Sequence, residues 1–375
     1  MTLSARQLNR ATLARQLLLR REPLAPTDAV RRVVALQAQE PASPYIALWN
    51  RLAPFDPAGL DAAFTAHALV RATLMRITLH AVHAEDYARF HAAMVPTLRA
   101  SRLNDTRYTT TGLTVADADA MVPPLLDLLT QPRARAEVET LVAERLGRGE
   151  PRMWWALRTF APLMHAPTGG PWLFRPRSAF VAARERLPPE SRDEARQWLV
   201  RRYLEAFGPA SVQDVGQFTL LARPVVRDAL AALDGDLVQL QGPDGVLFDV
   251  PGAPIPDEDE AAPPRLLPMW DSALLAYFDR SRIIPPEYRR VVIRVNGDVL
   301  PTVLVDGYVA GVWRSMETGI EVSAFHPLTD ETWTALAAEA ADLMAVLADR
   351  EPLVYRRYAH WWAKLPEADV RLLPG

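Results

Sequence analysis

The sequence predicts an α+β protein built from three tandem winged-helix units, followed by a β-rich C-terminal part with a closing helix. Three observations carry that expectation. Capped helical runs give way to a ribbon rich in Leu, Val, Ile and Thr at 70–82, which is the order of a winged helix. A similar order recurs over 134–174 and, most clearly, over 191–250. Asn296-Gly297 and Asp306-Gly307 then stand between alternating residues, a strong hairpin signal. On this reading the units are 1–127, 128–190 and 191–252, and the C-terminal part is 265–375.

The elements follow in order. Ser4 caps a helix carrying Leu8, Leu13 and Leu17 to Leu19. Thr27 and Asp28 begin a second helix, with Val30, Val33, Val34 and Leu36 as its apolar residues, and Pro41 and Pro44 end it. A short helix over 45–52 and another from Pro57 complete the first set, and the ribbon pairs 70–74 with 77–82. In the second unit 134–146 and 153–163 read as helices, with the Gly169-Gly170-Pro171 turn and Trp172–Phe174 as its wing. In the third, 191–207 is a helix, 211–218 and 223–233 form a helix-turn-helix pair, and 237–240 and 246–250 form a hairpin. The acidic, Pro-rich stretch 252–264 is a surface loop or linker. Strands are predicted at 290–295, 300–305 and 308–314, and an amphipathic helix at 332–347.

Composition removes several kinds of chemistry. The chain has 375 residues, 49% apolar and 23% charged, which is ordinary for a soluble globular protein. Cysteine is absent, so disulfides, thiolate nucleophiles and Cys-ligated zinc or iron–sulfur clusters are excluded. No apolar leader and no run of about 18 apolar residues is present, so a cytoplasmic protein without a membrane span is expected. Lys364 is the only lysine among 42 basic residues, which nearly removes amine-based covalent catalysis, because Arg stays protonated. No cofactor is expected, since phosphate-binding, dinucleotide, zincin and nucleophile-elbow motifs are all missing. His80 and His83 fall on opposite faces of the predicted ribbon and His91 lies further on, so they do not read as a metal site. Trp154-Trp155 and Trp361-Trp362 read as packing residues, with base stacking as the alternative for one of them.

Charge is unevenly distributed. The net charge is −3, yet residues 1–227 hold 30 Arg against 21 acids, a net +9, while 228–264 hold nine acids and no base. Such a basic segment is what a polyanion-binding surface needs; an Arg-favouring composition with scattered charges accounts for it equally well. Arg71, Arg76, Arg175 and Arg177, on or beside predicted wings, and Arg314 on the C-terminal hairpin are the candidate phosphate contacts. The competing reading leaves each on a face that never meets nucleic acid.

Leu36-Gln37-Ala38-Gln39-Glu40-Pro41 is the most informative stretch. On a helix the two amides lie about 200° apart, so they serve one site only if the segment is extended, which Pro41 favours. The plain alternative is a polar helix end. With Leu3–Arg10, Leu74–His80, Gly208–Asp214, Leu267–Ser272 and Asp279–Ser281, this block resembles the AlkZ/YcaQ family of DNA glycosylases nearly end to end. Gln37-Ala38-Gln39 is similar to that family's catalytic Gln-apolar-Gln motif, and to its Streptomyces AlkZ branch, because the YcaQ-like branch carries Asp at the second position.

The resemblance implies three tandem winged helices in a C-shape around duplex DNA, with Gln37 and Gln39 as catalytic residues. It also implies a monofunctional, cofactor-independent enzyme: a monomer that excises N7-alkylated purines from double-stranded DNA, unhooks interstrand crosslinks at guanine, and protects a producer of such an alkylating agent. A non-catalytic winged-helix regulator is the alternative; it shares the fold and the arginines and has no need of the Gln pair.

Overall fold

The computed structural model describes residues 2–147, 149–175, 177–366 and 368–375. The first helix, Ala5–Arg15, starts with a reciprocal cap: Ser4 Oγ accepts from Gln7 N, and Gln7 Oε1 accepts from Ser4 N at 3.0 Å. The second helix, Pro26–Val33, ends earlier than the sequence predicted. Val34 takes a left-handed φ of 73°, and strand β1 (Leu36–Gln37) follows at once. Pro44 does not stop this helix; it sits in the first turn of the next one, Ser43–Trp49.

The predicted ribbon is present as β2 (Leu69–Thr73) and β3 (Leu79–His83), paired antiparallel. The second wing differs from expectation. Trp172–Phe174 is not a strand but part of the long connection between β5 (Leu163–Ala166) and β6 (Ala179–Ala182), after the short β4 (Arg133–Ala134). Gly170 holds that connection at φ 77°, where a Cβ would come within 2.6 Å of the Arg175 carbonyl oxygen. The first two ribbons also merge: Arg71 pairs with His165, giving one six-stranded sheet in the order β1-β3-β2-β5-β6-β4. The third hairpin, β7 (Val238–Gly242) and β8 (Gly245–Asp249), stands apart after helices Arg192–Phe207, Val212–Thr219 and Arg223–Ala232, as the sequence indicated.

Helices Ala84–Leu103 and Val115–Leu128 had no counterpart in the sequence reading. Pro96 inside one and Pro123-Pro124 inside the other hide their periodicity. The acidic loop at 252–264 is laid along the first helix rather than free: Arg6 Nε donates to the Glu258 carbonyl at 2.6 Å and Arg10 Nε to that of Glu260 at 2.7 Å.

The C-terminal sheet runs β13-β12-β11-β10-β9, all antiparallel, from β9 (Arg265–Leu267), β10 (Thr302–Val305), β11 (Tyr308–Met316), β12 (Gly319–Ala324) and β13 (Asp369–Pro374). The strand predicted at 290–295 is instead a helical turn, Arg289–Val292, and a reversal closed by Arg294 N to Asp298 O at 2.8 Å. Asp306 and Gly307, both left-handed, turn β10 into β11 as expected. Helix Asp330–Ala348 packs on this sheet.

Among the described residues two large apolar cores result, beside a small cluster of Leu3, Leu8 and Leu247. One joins Leu13 to Leu69 with residues between Leu266 and Leu373; the other joins much of Val34 to Leu233 with Ala276 and Tyr277. The segment around β1 lies where they meet, since Leu36 and Ala38 belong to the first core and Val34 and Ala35 to the second.

Candidate active site

The Gln-Ala-Gln segment is extended because β1 pairs with β3. Leu36 is opposite Ala81 and Gln37 opposite His80, and Ala38 N donates to Leu79 O at 2.8 Å. Burial of Leu36 and Ala38 on the core side anchors the strand, so the intervening Gln37 backbone has no freedom to rewind into the helix. Gln37 is only 3% exposed, while Gln39 is exposed in the bend that follows. The Gln39 amide has no hydrogen-bond partner among the described residues, and so is available to a ligand.

Gln37 is held by the β2–β3 turn. Its Oε1 accepts from Arg76 Nη2 at 2.9 Å and from Thr78 Oγ1 at 3.2 Å, while its Nε2 is buried without a partner. Arg76 has a left-handed φ of 51° and its guanidinium lies 5.3 Å from the centre of the Phe218 ring. Burial, with Arg280 nearby, lowers the Arg76 pKa to about 9. His80, buried under the same turn, is pushed well below the ordinary histidine range by desolvation and by Arg76.

Arg71 is 6% exposed and supports the motif from beneath. Its Nε donates to the Ala38 carbonyl at 2.9 Å, and its guanidinium lies 4.9 Å from the Phe174 ring centre. Glu40 is buried on the far side of the bend. It accepts from Arg175 at 2.5 Å, from the Tyr358 hydroxyl at 2.9 Å, and from Arg357. A cavity of about 490 Å³ opens there, lined by Glu40, Trp172, Arg175, Tyr355 and Arg357 among others.

The five candidate arginines therefore divide. Arg71 is buried and Arg76 half-buried, and both are hydrogen-bonded to the motif. Arg175 is exposed but paired with Glu40, and Arg314 pairs with Glu321 across the β11–β12 hairpin at 2.7 Å. Arg177 is exposed and has no ion-pair partner among the described residues. Thr78 and Glu40 lie inside motif blocks visible in the sequence, and their roles were not legible there. Arg357 and Tyr358 carried no sequence signal, being 317 and 318 residues from Glu40. Among the described residues no group of three or more His, Asp or Glu is placed to hold a metal ion. Among those residues no helix is long and apolar enough to cross a membrane.

The chain belongs to the DNA glycosylase AlkZ-like family, whose model matches residues 30–346. It is 26% identical over 360 residues to an interstrand DNA cross-link repair glycosylase of Streptomyces sahachiroi, covering 91% of this chain and 96% of that protein. The solved structure of the Streptomyces sahachiroi DNA glycosylase AlkZ superposes with a TM-score of 0.79 at 22% identity, over 94% of this chain and 99% of that one. This likeness establishes a shared fold.

Proposed function

We propose that the protein hydrolyses the N-glycosidic bond of cationic N7-alkylpurines in duplex DNA, including those in interstrand crosslinks, and leaves an intact abasic site. The observation that carries this reading is the Gln37–Gln39 arrangement: one amide fixed and buried on β1, the other unpaired at the surface in the bend that follows. The name of the Streptomyces sahachiroi relative, a cross-link repair glycosylase, supports the crosslink part.

The chemistry suits amides. An N7-alkylguanine is already positively charged, so it leaves without a strong general acid. As the C1′–N9 bond breaks, its electron pair passes into the purine and cancels the charge. Water bonds to C1′, and its proton goes to solvent. An amide is too weak a base to take that proton but holds and orients the water, and positioning supplies much of the rate. A site of this kind selects labile, cationic lesions over normal bases. A crosslinked guanine is tethered to the opposite strand, so its excision calls for an open groove rather than full extrusion of the base.

Duplex containing N7-methylguanine, incubated with the protein and then treated with alkali, is expected to break at the lesion. Absence of breakage with any N7-alkyl lesion favours a binding protein without catalysis. Protection of a producing cell follows from the same activity: expression in a sensitive host should raise survival under a bifunctional alkylating agent.

A further inference from the structure

We propose that Arg76 is a positioning residue that fixes the orientation of the Gln37 amide, so that Gln37 serves the reaction as a hydrogen-bond donor and the acceptor role falls to Gln39. The inference rests on the proposed glycosylase reading and assigns the two amides different tasks within it.

The two ends of a glutamine amide are nearly alike in shape, so their direction is settled by their neighbours. A guanidinium has five donors and no acceptor. The Gln37 atom 2.9 Å from Arg76 Nη2 is therefore the carbonyl oxygen. The Thr78 hydroxyl lies 3.2 Å from both this oxygen and the Met75 carbonyl, and its single proton goes to one of them at a time, so the guanidinium is what sets the amide's direction. Turning the amide over would set its NH2 against the guanidinium, donor against donor.

Arg76 is not free to move away. The turn that carries it is left-handed at Arg76 and again at Ile77, with φ of 51° and 59°, conformations that a non-glycine residue holds only when its surroundings impose them. The guanidinium packs on Phe218, which is fully buried. The consequence falls on the other end of the amide. Gln37 Nε2 is a buried donor with no partner, and such donors are rare unless a ligand or water completes them. What completes it is an oxygen: that of the attacking water, or one on the sugar or phosphate beside the lesion. A donor orients the water without drawing on its proton. The hydrogen bond from the water proton then needs an acceptor, and Gln39, exposed and unpaired, supplies one.

Gln37→Glu separates the two roles directly. The carboxylate is isosteric, pairs with Arg76 and Thr78, and has lost the NH2. Single-turnover excision of N7-methylguanine by this variant is expected to be as low as in Gln37→Ala; activity at or above the wild-type level overturns the donor assignment. Arg76→Met is expected to slow single-turnover excision about tenfold or more while duplex affinity stays within about twofold, and to have no further effect in a Gln37→Ala background. An equal loss in both backgrounds, or weaker binding with a salt slope smaller by about one, makes Arg76 a phosphate contact and overturns the proposal. Arg76→Lys decides the matter if the methionine variant does not fold, since the ammonium keeps a donor and no acceptor. That variant should retain more of the rate than Gln37→Ala and lose nothing further in the Gln37→Ala background; a loss of equal size in both backgrounds overturns the proposal. If Gln37→Ala itself excises normally, the catalytic reading has failed; if only the Arg76 variants are silent, this inference alone has failed.

Discussion

At the scale of single residues, the site is a contrast between one amide that is locked and one that is free. Replacing either Gln37 or Gln39 with Ala is expected to lower single-turnover excision about tenfold or more, with duplex affinity little changed, because neither side chain carries charge toward phosphates. Gel-shift titrations run beside alkaline cleavage assays read the two quantities separately. Gln39→Asp is expected to fall between wild type and Gln39→Ala. Gln39 is exposed and unpaired, so a carboxylate there has no burial cost and faces the cationic sugar of the transition state. Activity no better than Gln39→Ala means that the bend does not aim the shorter side chain at the sugar. Glu40 is a different case, since its carboxylate has Arg175, Arg357 and Tyr358 on it. Glu40→Ala removes a shared acceptor from the bend that carries Gln39. Both arginines are substantially exposed, so the stability loss should be modest, roughly 1–3 kcal/mol by chemical denaturation. Excision should drop more than that stability loss accounts for.

At the scale of elements, the decisive event is where the second helix stops. A helix through Leu36 would have pointed Gln37 and Gln39 in different directions. The left-handed Val34 ends it, and pairing with β3 extends the next residues. Ala38→Pro removes the N–H that bonds Leu79 O, and it is expected to reduce excision strongly by loosening this pairing. Hydrogen exchange at Leu79 to His83 would report the loosening, and unchanged protection there would show that the edge bond does not hold the strand. The surface arginines also differ at this scale. Arg177 has no partner to give up, whereas Arg314 must leave Glu321 before it meets a phosphate. Arg177→Ala should therefore weaken duplex binding and lower its salt slope by about one, with a smaller effect from Arg314→Ala.

At the scale of the whole molecule, charge and buried histidines set the response to solution conditions. Much of the positive excess before residue 228 is met inside the chain: Arg15 pairs with Asp249, Arg20 with Glu260, Arg21 with Glu339, and Arg51 with Asp271. Duplex binding should still weaken with salt between about 50 and 200 mM, but with a slope set by the unpaired arginines rather than by the full excess of +9. His80, His91 and His165 are held neutral, chiefly by burial, His91 down to about 4 and the other two well below the usual 6.5. Their folded values lie below the unfolded value, so the unfolded chain takes up protons first as pH falls. Thermal stability should be level above about pH 7 and decline from about 6.5 toward 4. A melting temperature unchanged from pH 7 to 5 would contradict that burial. The one lysine stacks on the Trp361 ring at 4.8 Å, in the C-terminal part, and borohydride trapping on lesion duplex is expected to give no covalent adduct.

Local signals decided what is local. The Ser4 cap, the Asp306-Gly307 turn and the third helix-and-hairpin unit are all set by residues a few positions apart, and each stands in the structure where the sequence put it. The absence of Cys and the single Lys also bounded the chemistry without any coordinates. The Gln pair was visible, and so was the condition that its segment be extended. Only the tertiary structure decided that it is extended, because the pairing partner of Gln37 is His80, in another ribbon. It also decided that Arg71 and Arg76 face inward, that the first two ribbons share a sheet, and that the acidic loop lies against the N-terminal arginines. The physical reason is the same in each case. A charged side chain reads alike in sequence whether it meets water, a phosphate or a buried carbonyl, and which one it meets depends on contacts between residues tens to hundreds of positions apart.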